Sequence, residues 1–141
     1  MKEAPPILRP DYDPANGQEF MEPTMREYFR RQLLAWKADI LKDSSSTLSA
    51  LQKENKQEPD IADRASRESD RAVELRARDR NRKLLGKIDE ALVRIEDGSY
   101  GYCVESNEPI SVGRLQARPI ATLSLEAQEN HERRERTHRK I

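Results

Sequence analysis

Cysteine occurs once in the 141 residues, at Cys103. One thiol cannot close an internal disulfide, so the chain is no disulfide-stapled secreted scaffold and reads as cytoplasmic. Aromatic residues are scarce, at 5% of the sequence, with two Phe and one Trp. Hydrophobic residues of all kinds reach 35%, against 37% charged. That balance excludes a thick globular core and leaves a helical assembly with large solvated faces, or a partly disordered chain. No apolar run approaches the roughly 18 residues of a membrane span. The opening MKEAPPILRPDYDP lacks the apolar stretch of a signal peptide. Net charge is missing too, since 26 Lys and Arg balance 26 Asp and Glu. A neutral chain is a poor candidate for coating DNA, where affinity comes from neutralising phosphates. There is no internal repeat.

What remains is apolar periodicity in an otherwise polar chain. Residues 1–23 hold Pro5, Pro6, Pro10, Pro14 and Pro23, five of the eight prolines, and predict an extended arm. Its apolar residues Ile7, Leu8, Tyr12 and Phe20 either dock on the body or stay mobile. Thr24 and Glu27 have the spacing of a capping box that opens a helix. Phe29, Leu33, Trp36, Ile40, Ser44, Thr47 and Leu51 then recur at three- and four-residue steps as one narrow seam. Pro59 ends this segment. A second helix is expected from Asp60, as N-cap, to Asp97, with Gly98 as its stop. Its seam is read as Ala65, Ala72, Leu75, Leu85, Ile88, Leu92 and Ile95, interrupted at Asp79 and Arg82. At about 1.5 Å per residue this helix would span roughly 55 Å.

The fold class is therefore mostly all-α. A long antiparallel coiled-coil hairpin over 24–97, with its tip near 57–66, is followed by a small knuckle and a C-terminal helix over 98–141. In the knuckle, Asn107-Glu108-Pro109 signals a turn between short apolar stretches. Tyr100, Tyr102, Val104, Ile110, Leu115, Ile120 and Leu123 are its expected packing residues. The last helix should follow Thr122 or Ser124.

The tip carries Asp60 and Asp63. Capping and first-turn charge are the commonest use of Asp before a helix, each worth about 0.3–1 kcal/mol. Acids at the end of a narrow rod also suit a probe that enters a channel and meets a catalytic centre. Cys103 alone reads as a small buried hydrophobe, with no resolving partner for redox chemistry.

Beyond these patterns, the tip D-R-A at 63–65, the R-x-R-D-R run at 76–80, the I-E-D-G-x-Y-G-Y-C junction at 95–103 and the L-x-A-R-P run at 115–119 resemble the DksA/TraR family of bacterial RNA polymerase-binding factors. The resemblance covers roughly residues 24–135. It implies a non-enzymatic transcription regulator that inserts its coiled coil into the secondary channel of RNA polymerase. With the alarmone ppGpp, in the stringent response, such factors disfavour open complexes at ribosomal RNA-type promoters and help others. They do not bind promoter DNA. Asp60, Asp63, Arg64 and Ala65 would be the polymerase-contacting tip, and Arg80 a further contact along the coiled coil. Leu84, Lys87 and Arg118 match ppGpp-binding positions, while a basic family position in the last helix is Gln128 here. A self-satisfied hairpin is expected to be monomeric, and no membrane partner is implied.

The family pattern also contains a four-thiolate zinc site, with two C-x2-C pairs seventeen residues apart. Those positions are Cys103, Ser106, Ser124 and Ala127 here. Serine supplies no thiolate at neutral pH and alanine no ligand, so no such zinc site can form. The remaining way to hold a metal would use Cys103, His131 and an acid. The expectation is a zinc-independent variant, resembling family paralogues that replace zinc-containing forms when zinc is scarce or thiols are oxidised. Two other functions compete. One is a Gre-type transcript-cleavage factor, which also carries tip acids but needs a larger β-rich body. The other is a plain coiled-coil scaffold, in which Asp63→Asn would have no effect.

Overall fold

The computed structural model describes residues 6–17, 19–54 and 61–139, with side chains described for 6–17, 19–44 and 64–138. Four helices follow in order: α1 (Pro23–Glu54), α2 (Ile61–Asp97), α3 (Val112–Ala117) and α4 (Leu125–Arg139). Among the described residues there is no strand, only an isolated antiparallel bridge between Tyr102 and Pro109. Two compact units divide the chain, Met1–Leu33 with Glu90–Ile141, and Leu34–Asp89.

The first unit contains nearly all of the core. Met25, Phe29 and Leu33 recur every fourth residue on α1 and are 0–1% exposed. Ala91 and Ile95 on α2, and Tyr100, Cys103, Ile110, Leu115, Ile120, Ala121 and Ala127 beyond it, are also buried. Helix α1 starts one residue before the expected cap. Pro23 occupies its first position, where the missing N–H costs nothing and the fixed φ is already helical, and the Glu22 carbonyl accepts from Arg26 N–H at 3.0 Å. The expected capping box does not form, because Glu27 turns away from Thr24. Its buried carboxylate accepts two bonds from Arg30 at 2.8 Å and one from Arg31 Nε at 2.9 Å. Hydrogen bonds from Arg30 hold the Glu27 carboxyl below the ordinary carboxylate range, against the opposing effect of burial.

The proline-rich arm docks rather than floating. Tyr12 packs on Tyr28 at 5.6 Å between ring centroids, and Phe20 meets the Tyr102 ring edge-on at 5.4 Å. Met21 is buried with a left-handed φ of 56°, and its N–H donates to Met25 Sδ at 3.3 Å.

In the second unit only Ile40 and Ile88 are buried among the described side chains. The α1 seam runs as expected through Trp36, Ile40 and Ser44, while Thr47 and Leu51 lie outside the described side chains. The α2 seam follows the prediction in its proximal half, where Ile88 and Ile95 are buried and Leu85 and Leu92 half-buried, and departs from it distally, where Ala65, Ala72 and Leu75 are exposed. The covered stripe is Arg67, Arg71, Glu74, Ala77, Asn81, Leu84, Ile88, Ala91 and Ile95, stepping by three and four. Its distal half is lined by long polar side chains instead of aliphatic ones, and Arg67 Nη1 and Glu74 Oε2 are themselves covered from solvent. Lys37 on α1 pairs with Asp89 on α2 at 2.7 Å, joining the two helices. Both partners are substantially exposed, so the pair itself contributes at most about 1 kcal/mol.

Gly98 ends α2 as expected, with φ +86°. Ser99 N–H returns to the Arg94 carbonyl at 3.0 Å, the long bond of a Schellman closure.

Candidate functional site

After Gly98 the chain folds into a tight knuckle. Ile110 N–H donates to the Gly101 carbonyl at 2.7 Å and Cys103 N–H to that of Glu108 at 2.8 Å. Asn107, at φ 60°, closes the turn by donating to the Cys103 carbonyl at 2.9 Å. Val104 N–H ties this turn to the Thr122 carbonyl at 2.9 Å. The short helix α3, capped by the Ser111 hydroxyl accepting from Arg114 N–H at 3.2 Å, follows directly. Sequence reading did not foresee α3; the Ser111 cap was its signal. Tyr100, Ile110, Leu115 and Ile120 are buried as expected. Tyr102 and Val104 instead face outward, 36% and 60% exposed, because the turn alternates its side chains and Cys103 takes the inward position. The Tyr100 hydroxyl donates to the Pro119 carbonyl at 2.7 Å, and burial pushes its pKa above the ordinary tyrosine value.

Cys103 is covered completely. Burial alone would push its thiol up. The Ser106 hydroxyl and the backbone amides of Ser124, Ser106 and Glu105 outweigh that and bring it down to about 6. Ser106 Oγ also accepts from Glu108 N–H at 3.4 Å, and Ser124 Oγ caps α4 by accepting from Ala127 N–H at 3.2 Å. Ala127, the fourth position, presents only a methyl group and is buried. One sulfur, two hydroxyls engaged with backbone amides and a methyl do not fit tetrahedral Zn²⁺. His131 pairs with Glu105 across the knuckle, and no cluster of three metal-ligating side chains exists among the described residues. Cys103 is buried, as the sequence implied, and the neighbouring hydroxyl and amides favour its anionic form besides.

This arrangement has a pH signature. A thiol held at about 6, below its unfolded value of about 8.5, adds stability that is complete above the unfolded value. The contribution shrinks as pH falls and vanishes below the folded one. The melting temperature of the protein should therefore exceed that of Cys103→Ala by more at pH 9 than at pH 6. Thiolate ultraviolet absorbance should appear with a midpoint near 6. A midpoint at or above the free-thiol value would refute the assignment.

The other expected site residues fall on separate stretches. Asp60 lies outside the described residues. Asp63 is in the first turn of α2, its side chain outside the description, and Arg64 and Ala65 follow it as exposed residues. Arg80 is exposed on the same helix. Leu84 sits in the α2 seam, half-buried, and Lys87 is exposed one turn further on. Arg118 is exposed at the C-cap of α3, its N–H donating to the Arg114 carbonyl at 2.7 Å. Gln128 is half-buried on α4, with Nε2 donating to Glu132 at 3.3 Å.

Known proteins share both the hairpin and the knuckle. Residues 25–95 match the family model of the DnaK suppressor protein DksA, N-terminal domain. Residues 98–133 match that of the prokaryotic dksA/traR C4-type zinc finger. Over 133 residues, 94% of each chain, the sequence is 60% identical to the RNA polymerase-binding transcription factor DksA of Caulobacter vibrioides. It is 38% identical to the factor of the same name from Escherichia coli, over 89% of this chain and 83% of that one. The solved structure of transcription factor DksA2 from Pseudomonas aeruginosa aligns with a TM-score of 0.78 at 39% identity, covering 89% of this chain and 94% of that one. The zinc-finger match extends over a knuckle in which three of the four ligand positions are not cysteine. With two adjoining family models matched, and identity sustained along nearly the whole of a relative, the chain belongs to the DksA/TraR family.

Proposed function

We propose that this chain is a cytoplasmic, non-enzymatic regulator of transcription initiation that acts by binding RNA polymerase. The observation that carries this reading is the 60% identity, over 94% of both chains, to a factor named as RNA polymerase-binding. The hairpin and knuckle would divide the work. The hairpin enters the secondary channel of the polymerase as a monomer, and Asp63, with Asp60, Arg64 and Ala65, meets the enzyme near its active centre. Arg80 contacts the polymerase along the coiled coil. ppGpp binds with Leu84, Lys87 and Arg118, where a lysine and an arginine suit phosphate oxygens. The effect on promoters is a population shift, limited to the factor's difference in affinity between polymerase states. The knuckle works without zinc, because the Ser106 hydroxyl and the backbone amides of Glu105, Ser106 and Ser124 serve the one sulfur.

The test is transcription from a ribosomal RNA promoter by the cognate purified polymerase, with and without ppGpp. The native chain should inhibit, more strongly with ppGpp, and a zinc chelator should change nothing. Asp63→Asn should weaken inhibition about tenfold, the loss of one charge-assisted hydrogen bond of roughly 1.5 kcal/mol. Inhibition unaffected by the substitution would remove the tip from the mechanism. Stimulated cleavage of the transcript would replace this reading with the Gre-type one.

A further inference from the structure

Helix α4 changes character halfway along. Its first half is held to the knuckle: the Ser124 hydroxyl caps it, Ala127 is buried and His131 pairs with Glu105. From Glu132 to His138 every side chain is exposed. Charge is not spread evenly over this second half. Glu129, Glu132 and Glu135 each stand four residues before Arg133, Arg136 and Arg139, the favourable orientation for pairs that support an isolated helix. That spacing favours the helix, although among the described side chains neither Glu129 with Arg133 nor Glu132 with Arg136 closes into an ion pair.

A different row has no such explanation. Asn130, Arg134 and His138 follow one another at four-residue steps, on the side of the helix that begins with Ala127 and His131. With Arg133 and Thr137 at the edge they bound a concavity of about 430 Å³. No carboxylate lines it among the described residues, and neither Arg133 nor Arg134 has an ion pair there. Every polar side chain of the row can donate: two guanidinium forks, an amide, a hydroxyl and an imidazole. Such a set, with no carboxylate to oppose it, matches a ligand that is all acceptor and negatively charged. Guanidinium forks pair with phosphate oxygens two at a time. One helical turn separates the donors by about 5.4 Å, close enough for neighbouring phosphoryl groups to be held together.

We propose that this carboxylate-free row on the second half of α4 is a phosphoryl-binding site, taking the phosphate oxygens of a nucleic-acid strand or of a free oligophosphate. It is separate from Leu84, Lys87 and Arg118, and its recognition is independent of base sequence. The neutral balance of the whole chain is no obstacle, because the field that matters acts within a Debye length of about 10 Å.

The full chain would be titrated against a labelled 20-base-pair DNA duplex and, separately, against sodium tripolyphosphate, at low and at physiological salt. Phosphate contacts of this number predict weak duplex binding, with a Kd of roughly 10⁻⁴ M that worsens with salt. Arg133→Glu with Arg134→Glu should lose at least about tenfold in affinity and about two units of salt slope. Arg136→Glu with Arg139→Glu makes the same change in net charge on the same helix and should cost much less. Circular dichroism of both double variants keeps loss of helix distinct from loss of the site. Binding of the duplex alone assigns the row to a strand, and binding of tripolyphosphate assigns it to free oligophosphates. Binding of neither, or equal losses in the two double variants, would overturn the proposal.

Discussion

Phe29→Ala is expected to cost about 3–5 kcal/mol of stability, the range for emptying a fully enclosed aromatic site. Phe29 is 0% exposed and meets two further rings: Tyr28 edge-on at 5.1 Å between centroids and Tyr100 at 5.6 Å with a 47° tilt. Met25 and Leu33, one turn either side on α1, are as deeply buried, so the void has no flexible neighbour at the surface to fill it. In a chain with only two Phe, nothing else nearby can substitute. Small domains are stable by about 5–15 kcal/mol, so this one truncation removes a large share of the total. Denaturant unfolding of the two proteins, with the m-value checked for constancy, measures it. The cost should be non-additive with Tyr100→Ala, since each substitution strips the other ring of its partner. A loss below about 1 kcal/mol, the size of an ordinary surface change, would mean that the ring does not occupy the core as described.

Gly101→Ala is the second. Gly101 has φ +90°, where a Cβ is strained by about 1–3 kcal/mol whatever surrounds it. Here the surroundings are also full. A Cβ would lie 2.8 Å from Met21 Cε, 3.1 Å from Phe20 Cζ and 3.2 Å from Met21 Cγ. Those atoms belong to the arm, so the substitution should loosen the arm as well as strain the turn. Gly98 is the matched comparison, with φ +86° and nothing within 4 Å of a built Cβ. Gly98→Ala therefore reports the backbone cost alone. The excess destabilisation of Gly101→Ala over Gly98→Ala measures the arm's contact, and it should come with faster proteolysis between Ile7 and Phe20. Equal losses at the two glycines, with unchanged proteolysis, would show that the arm adapts freely.

How far the fold was legible in the sequence varied with the density of its apolar residues. Along α1 the aliphatic and aromatic residues recur closely enough to fix the phase of the seam, and Phe29, Leu33 and Ile40 are buried where the period puts them. Along the distal half of α2 they do not. Ala65, Ala72 and Leu75 are too few and too small to set a phase, and the covered stripe runs through Arg67, Arg71 and Glu74, which no hydrophobic pattern marks. The stop at Gly98 was legible because only one residue type tolerates that φ cheaply. The capping box at Thr24 misled because Glu27 had stronger partners in Arg30 and Arg31 than a backbone amide offers. At the knuckle, the loss of three thiols was plain in the sequence. What took their place was not, because amides converging on a sulfur are a property of the folded backbone.

The polar stripe on α2 also bears on motion. Local opening requires breaking whatever tertiary contact holds a segment, and its free energy falls where little apolar surface is enclosed. Ile88, fully buried, anchors one end of the second unit, while Arg67, Arg71 and Glu74 at the other lose little by meeting water. Amide hydrogens on α2 should therefore exchange along a gradient, slowest around Ile88 and progressively faster toward Arg67. The same gradient sets the order of unfolding: the far turns of α2 can fray and re-form many times while Ile88 and its neighbours stay closed.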